Sequence, residues 1–380
     1  MTLLNRRPAL RWLVPLLAVV VVTTAGSVVA AVTASARDSL PPRSAAQLLV
    51  DVQKARLDDG LSGTVVQSAS LGLPSLPGPA GDQSSSFSSL VSGSHTLRVW
   101  YAGPQQVRVA LLGQLGESDI IRNGSDVWLW SSHDNAARHF TAPDRTAADE
   151  TGATMGTAPE QAMTPQQAAD AALKAITPTT QVSTDPTAVV AGRSAYQLVL
   201  EPRDPDTLIG TVTIAIDGET HIPTRVQVFA RGATTPAFET GFTSFNPSTP
   251  PSSVFEFNPP PGATVTEGLG AGKDLPTASD PKEHSAKPEV IGKGWTAVVR
   301  AELPSTTGTT GSDAENGAAA GSDPVGNLGA MIKALPSVSG SWGSGHLLRG
   351  TLFSVLVTDD GQVVAGAVAP ERLYAALAAK

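Results

Sequence analysis

Six histidines, His95, His133, His139, His221, His284 and His346, are the side chains best suited to ligate a metal or move a proton, and they lie scattered along the chain. His133 and His139 come nearest to each other, and a six-residue gap is a weak metal signal. Cysteine is absent, which removes disulfides and thiolate metal sites. The run Gly268-Leu269-Gly270-Ala271-Gly272-Lys273 has the look of a phosphate loop, but it lacks the first glycine and the Ser or Thr after the lysine. Asp359 and Asp360 could be taken for an acid pair, yet they stand before Gly361, where aspartates form turns. Asp144, Asp149 and Glu150 fall in a polar stretch and read as solvated surface. There is no G-x-S-x-G elbow, no H-E-x-x-H and no dinucleotide fingerprint. Nothing here supports catalysis or calls for a cofactor, so the expectation is a non-enzymatic protein.

Chemistry is instead written into apolar surface. About ten short segments between Leu61 and Phe257 alternate apolar and polar residues, the period of strands with one dry and one wet face. Leu97, Val99 and Tyr101 lie opposite Arg98, and Val107, Val109 and Leu111 lie opposite Arg108. Later strands repeat the pattern with Tyr196, Leu198 and Leu200, then Val212, Ile214 and Ile216, then Val226 and Val228. Phe238 and Phe242, then Phe255 and Phe257, complete the set before Pro259-Pro260-Pro261-Gly262. Asn123-Gly124 joins Asp119–Arg122 to Val127–Ser131 as a hairpin, and Asp217-Gly218 is a second turn. A sheet of so many strands curls instead of lying flat.

Trp128 and Trp130 alternate with Val127 and Leu129, so both faces of that strand carry large apolar groups. Such a strand is expected to be covered on both sides, by the sheet interior and by a helix or the Leu71–Gly93 loop; the competing account sets the indoles at a ligand mouth. That loop is rich in Gly, Pro and Ser but carries Leu71, Leu73, Leu76, Phe87 and Leu90. It reads either as a surface loop tacked down by its leucines or as a lid over an apolar opening.

The chain holds 380 residues with a formal charge of −8, which argues against a nucleic-acid partner. Charged residues are only 16%, while Gly (36) and Pro (30) are abundant, as suits a β-rich protein with many turns. Arg6, Arg7 and Arg11 precede an uncharged stretch reaching to Arg37, with Ala34-Ser35-Ala36 placed for a signal peptidase. Residues 1–36 therefore read as a signal peptide or as a retained span anchoring the body outside the cytoplasmic membrane, the stretch being long enough for either.

A helix is expected after the N-cap Ser44, with Ala45, Leu48, Leu49 and Val52 on one face, ending at Asp58-Asp59-Gly60. A second, capped by Thr164 with Pro165 at its first position, runs to Ile176, either inside a curved sheet or outside it. Residues 266–289 and 304–324 have the composition of flexible linkers. They frame a small C-terminal α/β module, residues 290–380. It has a strand around Trp295 to Val299, a helix over Val325 to Leu335, a hairpin of Leu347–Val357 with Gln362–Val368, and a last helix opened by Pro370.

Over roughly Ser44 to Val265, pattern and order resemble the bacterial lipoprotein-carrier fold of LolA and LolB, shared by the N-terminal domain of RseB. The resemblance rests on Asn123-Gly124-Ser125-Asp126-Val127-Trp128-Leu129-Trp130, Tyr196–Pro202, Val212–Asp217, Ile222–Val228 and Phe255-Glu256-Phe257. It implies a mainly β (α+β) protein whose residues 44–265 form a strongly curved antiparallel half-open β-barrel wrapping a helix. It also implies an apolar concave face that receives an acyl chain. The fourteen residues assigned to that face are Leu97, Val99, Tyr101, Val107, Val109, Leu111, Tyr196, Leu198, Leu200, Val212, Ile214, Ile216, Val226 and Val228. Burying some sixteen carbons contributes on the order of 10 kcal/mol before ordering costs. The leading expectation is an exported carrier of a lipid or lipoprotein acyl chain. The alternative is an RseB-like regulator that grips a membrane anti-sigma factor.

Overall fold

The computed structural model describes residues 40–55, 60–73, 85, 87–142, 177–267, 288–302 and 332–378. The leader, the Thr164–Ile176 helix, the Asp144–Glu150 stretch and the Gly268–Lys273 run lie outside the described residues. The chain divides into two compact units. The first comprises Met1–Leu71, Pro77–Arg203 and Gly210–Thr277, and the second comprises Gly72–Leu76, Asp204–Ile209 and Ala278–Lys380.

In the first unit, helix α1 (Ala45–Lys54) starts where Ser44 predicts, through a complete capping box. The Ser44 hydroxyl accepts from the Gln47 amide and the Gln47 side chain accepts from the Ser44 amide, a pairing that contributes about 1 kcal/mol. The strands that follow are β1 (Leu61–Ala69), β2 (Gly93–Tyr101), β3 (Gln106–Leu112), β4 (Glu117–Asn123), β5 (Asp126–Ser131) and β6 (Ala136–Thr141). Then come β7 (Thr180–Val190), β8 (Arg193–Pro202), β9 (Ile209–Asp217), β10 (Pro223–Ala230), β11 (Pro236–Asn246) and the short β12 (Thr264–Glu267). They form one twelve-stranded sheet in the order β12-β6-β5-β4-β3-β2-β1-β11-β10-β9-β8-β7. β12 and β7 are free edges, so this large, mostly antiparallel sheet is not closed into a barrel.

Two expectations need correction here. Phe255 and Phe257 alternate like a strand, yet Ser252–Phe255 is a 3-10 turn and Phe257 follows it in extended chain without a ladder partner. The alternation reflects two rings turned to one covered surface. Residues 266 and 267, placed at the linker's start by composition, instead complete β12, paired in parallel with β6 from Thr264↔Ala136 to Glu267↔His139.

The second unit holds a six-stranded sheet ordered β13-β14-β18-β17-β16-β15. Its strands are β13 (Glu289–Ile291), β14 (Val298–Glu302), β15 (Ser337–Gly340), β16 (Gly343–Arg349), β17 (Ser354–Thr358) and β18 (Gln362–Gly366). Helix α2 (Pro370–Ala378) covers one face, burying Leu373 and Ala376 among Val298, Leu347, Leu356, Val364 and Val368. Three expectations shift. The strand around Trp295 begins only at Val298, because Gly294–Thr296 forms a 3-10 turn. The run Leu347–Val357 is two strands, broken where Gly350 and Phe353 close a turn with a backbone hydrogen bond. Glu289, the last residue assigned to the linker, opens β13. The Asp359-Asp360-Gly361 turn stands as read: the Thr358 hydroxyl donates to Asp360 and the Ser344 hydroxyl to Asp359.

Candidate functional site

Residues paired across an antiparallel ladder point to the same side, so register sorts the apolar residues into faces. In β2 and β3, Leu97, Val99 and Tyr101 stand beside Leu111, Val109 and Val107. The same face continues through Ser118, Ile120 and Arg122 of β4, Ser131, Leu129 and Val127 of β5, and Ala136, Arg138 and Phe140 of β6. In the other direction it passes through Val65 and Gln67 of β1 and Phe242 and Thr240 of β11 to Val226 and Val228 of β10. Eight of the fourteen expected residues thus share one face. The other six form a second set, with Tyr196, Leu198 and Leu200 beside Ile216, Ile214 and Val212.

The second set is covered. The Tyr196 hydroxyl donates to the Pro41 carbonyl at 2.8 Å, and Thr184, beside Leu198 on β7, donates to the Arg43 carbonyl. Five of the six are buried, Ile214 being intermediate. On the first face, Leu97 and Leu111 are sealed by Phe87 and Leu90 from the 3-10 turn Phe87–Val91. The Gln67 amide fixes that turn by donating to the Leu90 carbonyl at 2.8 Å. These two apolar residues of the long loop therefore tack it to the sheet. A cavity on the same face, lined among others by Val65, Val226, Thr240 and Phe242, has a volume of ≈ 20 Å³. That holds about one water molecule and no acyl chain.

The covering stops at β4. Ile120 and Leu129, a cross-strand pair, keep 37% and 38% of their surface exposed. Val107, Val109, Val127 and Phe140 around them are only half-buried. Sequence reasoning missed this pair. Ile120 and Ile121 are adjacent, so alternation alone does not say which one faces the apolar side.

The opposite face of the same strands is closed. Trp128 and Trp130 lie under Phe257, with ring centroids 5.3 and 5.8 Å away, and Phe255 is 1% exposed beside β3 and β4. The indoles thus sit under the Phe255–Phe257 segment, on the face opposite the open surface. Arg108 binds Asp119, donates to the Val254 carbonyl at 3.2 Å and stacks on Trp100. Burial pushes the Asp119 carboxyl up despite Arg108, and its Oδ1 has no hydrogen-bond partner. His139 stacks on Trp128 with centroids 4.2 Å apart, and its two ring nitrogens reach Asp126 and Glu267 at 2.9 Å each. Burial opposes the charged ring, but these two carboxylates prevail and raise its pKa. His139 is therefore a clasp on β12. Among the described residues no group of three or more His, Asp or Glu side chains could hold a metal.

Among curated proteins none matches this chain. Solved structures do. One is the Pseudomonas aeruginosa MucA/MucB complex, at 15% identity over 88% of this chain and 96% of that one, with a TM-score of 0.41. A second is an uncharacterised conserved protein from Thermus thermophilus, at 11% identity over 58% and 97%, TM-score 0.32. A third is a LolA superfamily protein from Nitrosomonas europaea, at 11% identity over 57% and 99%, TM-score 0.21. Residues 81–267, which span the open Ile120–Leu129 surface and the clasp on β12, match the family described as predicted periplasmic protein (DUF2092).

Proposed function

We propose that this protein is a non-enzymatic binding protein of the extracytoplasmic space that takes an acyl chain, from a lipid or a lipoprotein, on the apolar face of its open sheet. The observation that carries the reading is the Ile120–Leu129 pair. Two large aliphatic side chains lie open on a face whose neighbouring Leu97–Leu111 row is sealed and whose other neighbours, Val107, Val127 and Phe140, are half-buried. An acyl chain laid along Val109, Ile120 and Leu129 gains about 0.8 kcal/mol per buried methylene. It requires no catalytic group. The test is to purify the protein from its native envelope, extract it with organic solvent and identify bound lipid by mass spectrometry. A near-stoichiometric acyl species is expected. Recovery of none, together with failure to bind a palmitoyl probe, would sink the reading.

A second reading, a regulator gripping a membrane anti-sigma factor, is favoured by one observation in the second unit. The sheet face away from α2 carries the cross-strand row Val290, Val299, Ala365, Val355 and Leu348. Val290 and Val299 are 44% and 43% exposed. Affinity purification from native membranes that recovers an anti-sigma factor and no lipid would decide for this reading.

A further inference from the structure

Charge on strands β3–β6 is segregated by face. Their carboxylates, Glu117, Asp119 and Asp126, all belong to the closed, aromatic side, as do Arg108 and His139. The open side carries Arg122 and Arg138 and no acid from these strands. Across β4, β5 and β6, two successive rows of this side read Ile120, Leu129, Arg138 and Arg122, Val127, Phe140. The two arginines thus take opposite corners of a six-residue grid whose remaining positions are apolar. Strand spacing and rise put their Cα atoms about 12 Å apart, within reach of one headgroup for two long side chains. Arg122 donates only to the Gly124 carbonyl, at 3.1 Å, and Arg138 is exposed. Neither has a carboxylate partner among the described residues, although the chain carries a formal charge of −8.

We infer that the ligand of this face is an anionic amphiphile, its acyl chain on Ile120, Leu129 and the β3 valines and its acidic head between Arg122 and Arg138. The inference rests on the acyl-binding reading and narrows it. An apolar surface alone does not discriminate between headgroups, whereas a guanidinium recognises phosphate or carboxylate by charge-assisted, bidentate hydrogen bonds. Neither guanidinium is paired with a carboxylate among the described residues, so binding does not first require breaking an ion pair there.

The test uses the full chain and three probes below their micellar concentrations: palmitoyl lysophosphatidylglycerol, palmitoyl lysophosphatidylcholine and chain-free glycerol phosphate. The first is expected to bind roughly tenfold or more tighter than the second at low salt. That advantage shrinks as ionic strength rises, since exposed charges are screened within about 10 Å at 0.1 M salt. Glycerol phosphate alone should fail to bind at concentrations that saturate the anionic lysolipid. In the double variant Arg122→Gln/Arg138→Gln the preference should disappear while lysophosphatidylcholine binding persists, which also reports an intact fold. Equal binding of both lysolipids by the wild type, or an undiminished preference in the double variant, overturns the anionic head and leaves acyl binding standing. Binding of glycerol phosphate as tight as the lysolipid reveals an anion site and overturns the amphiphile. Failure of both lysolipids overturns the acyl-binding reading itself.

Discussion

The two faces of strands β3–β6 are made from the same twenty-six residues and behave as opposites. On one, Trp128 and Trp130 are roofed by Phe257, Arg108 is bound to Asp119, and His139 is held between two carboxylates. On the other, aliphatic side chains lie open and two arginines have no carboxylate partner among the described residues. A face whose apolar area is covered and whose charges are mostly paired has spent its interactions on folding. A face with uncovered apolar groups and uncompensated charge keeps them for something else. The contrast makes the tryptophans, the most conspicuous residues of the sequence, structural, and shifts attention to their quieter neighbours on β4 and β5.

If that division is right, the largest effects on stability come from the closed face. Phe255→Ala should destabilise the first unit by about 3–5 kcal/mol, the usual cost of emptying a buried aromatic site. The transition can be followed in urea by Trp128 and Trp130 fluorescence. A loss below about 1 kcal/mol would mean that the Phe255–Phe257 segment rests on the sheet without holding it. Next in size is Asp119→Ala, expected at about 3 kcal/mol because it strands the Arg108 guanidinium.

Asp119 also has a pH signature. Its folded pKa is raised by burial, so the native state holds the proton more tightly than the unfolded chain does. Its contribution therefore favours the fold as pH falls through the raised value toward 3.8, and disfavours it at higher pH. Asp119→Asn should flatten that part of the stability profile while keeping a partner for Arg108.

His139 gives a smaller effect of the same sign in a higher pH window. A histidine with a raised folded pKa stabilises the fold below its unfolded value of 6.5, and the contribution disappears as pH climbs through the folded value. Amide protection in Thr264–Glu267, taken relative to the intrinsic exchange rate at each pH, should fall over that upper window, because the clasp binds Glu267 of β12. In His139→Gln the pH dependence of protection should vanish. Constant protection in the wild type would show that the parallel ladder alone keeps β12 in place.

Much of this architecture is legible in sequence because strict alternation fixes sides. Leu97, Val99 and Tyr101, and likewise the alternating residues of β3, β8 and β9, each share a side within their strand, although the fourteen expected residues divide into a face of eight and a second set of six. Ser44 and Asn123-Gly124 set a helix start and a hairpin through strictly local chemistry. What fails is non-local. Phe255 and Phe257 alternate, but Phe257 packs on Trp128 and Trp130, more than a hundred residues away, and Phe255 closes the 3-10 turn Ser252–Phe255. The apolar run Leu347–Val357 hides a turn because Leu352 and Phe353 are themselves apolar. The pairing of Arg122 with Arg138 around Val127 and Leu129 depends on two successive hairpin registers. Of the fourteen residues expected on the concave face, ten are buried.

The smallest expected effect on folding is also the one that separates the faces most sharply. Leu129→Ser and Ile120→Ser remove side chains already more than a third exposed, so stability should stay within about 0.5 kcal/mol of wild type. The same changes place a hydroxyl where an acyl chain would lie and shorten the apolar grid at its centre, so binding of a palmitoyl probe should fall by an order of magnitude or more. On the closed face the relation inverts: Trp130→Phe perturbs packing under Phe257 and should lower stability while leaving probe affinity unchanged. Paired measurements of urea midpoint and probe affinity on these variants therefore place each face on its own axis. A serine at 129 that unfolds the protein would move Leu129 into the core and join the two faces into one.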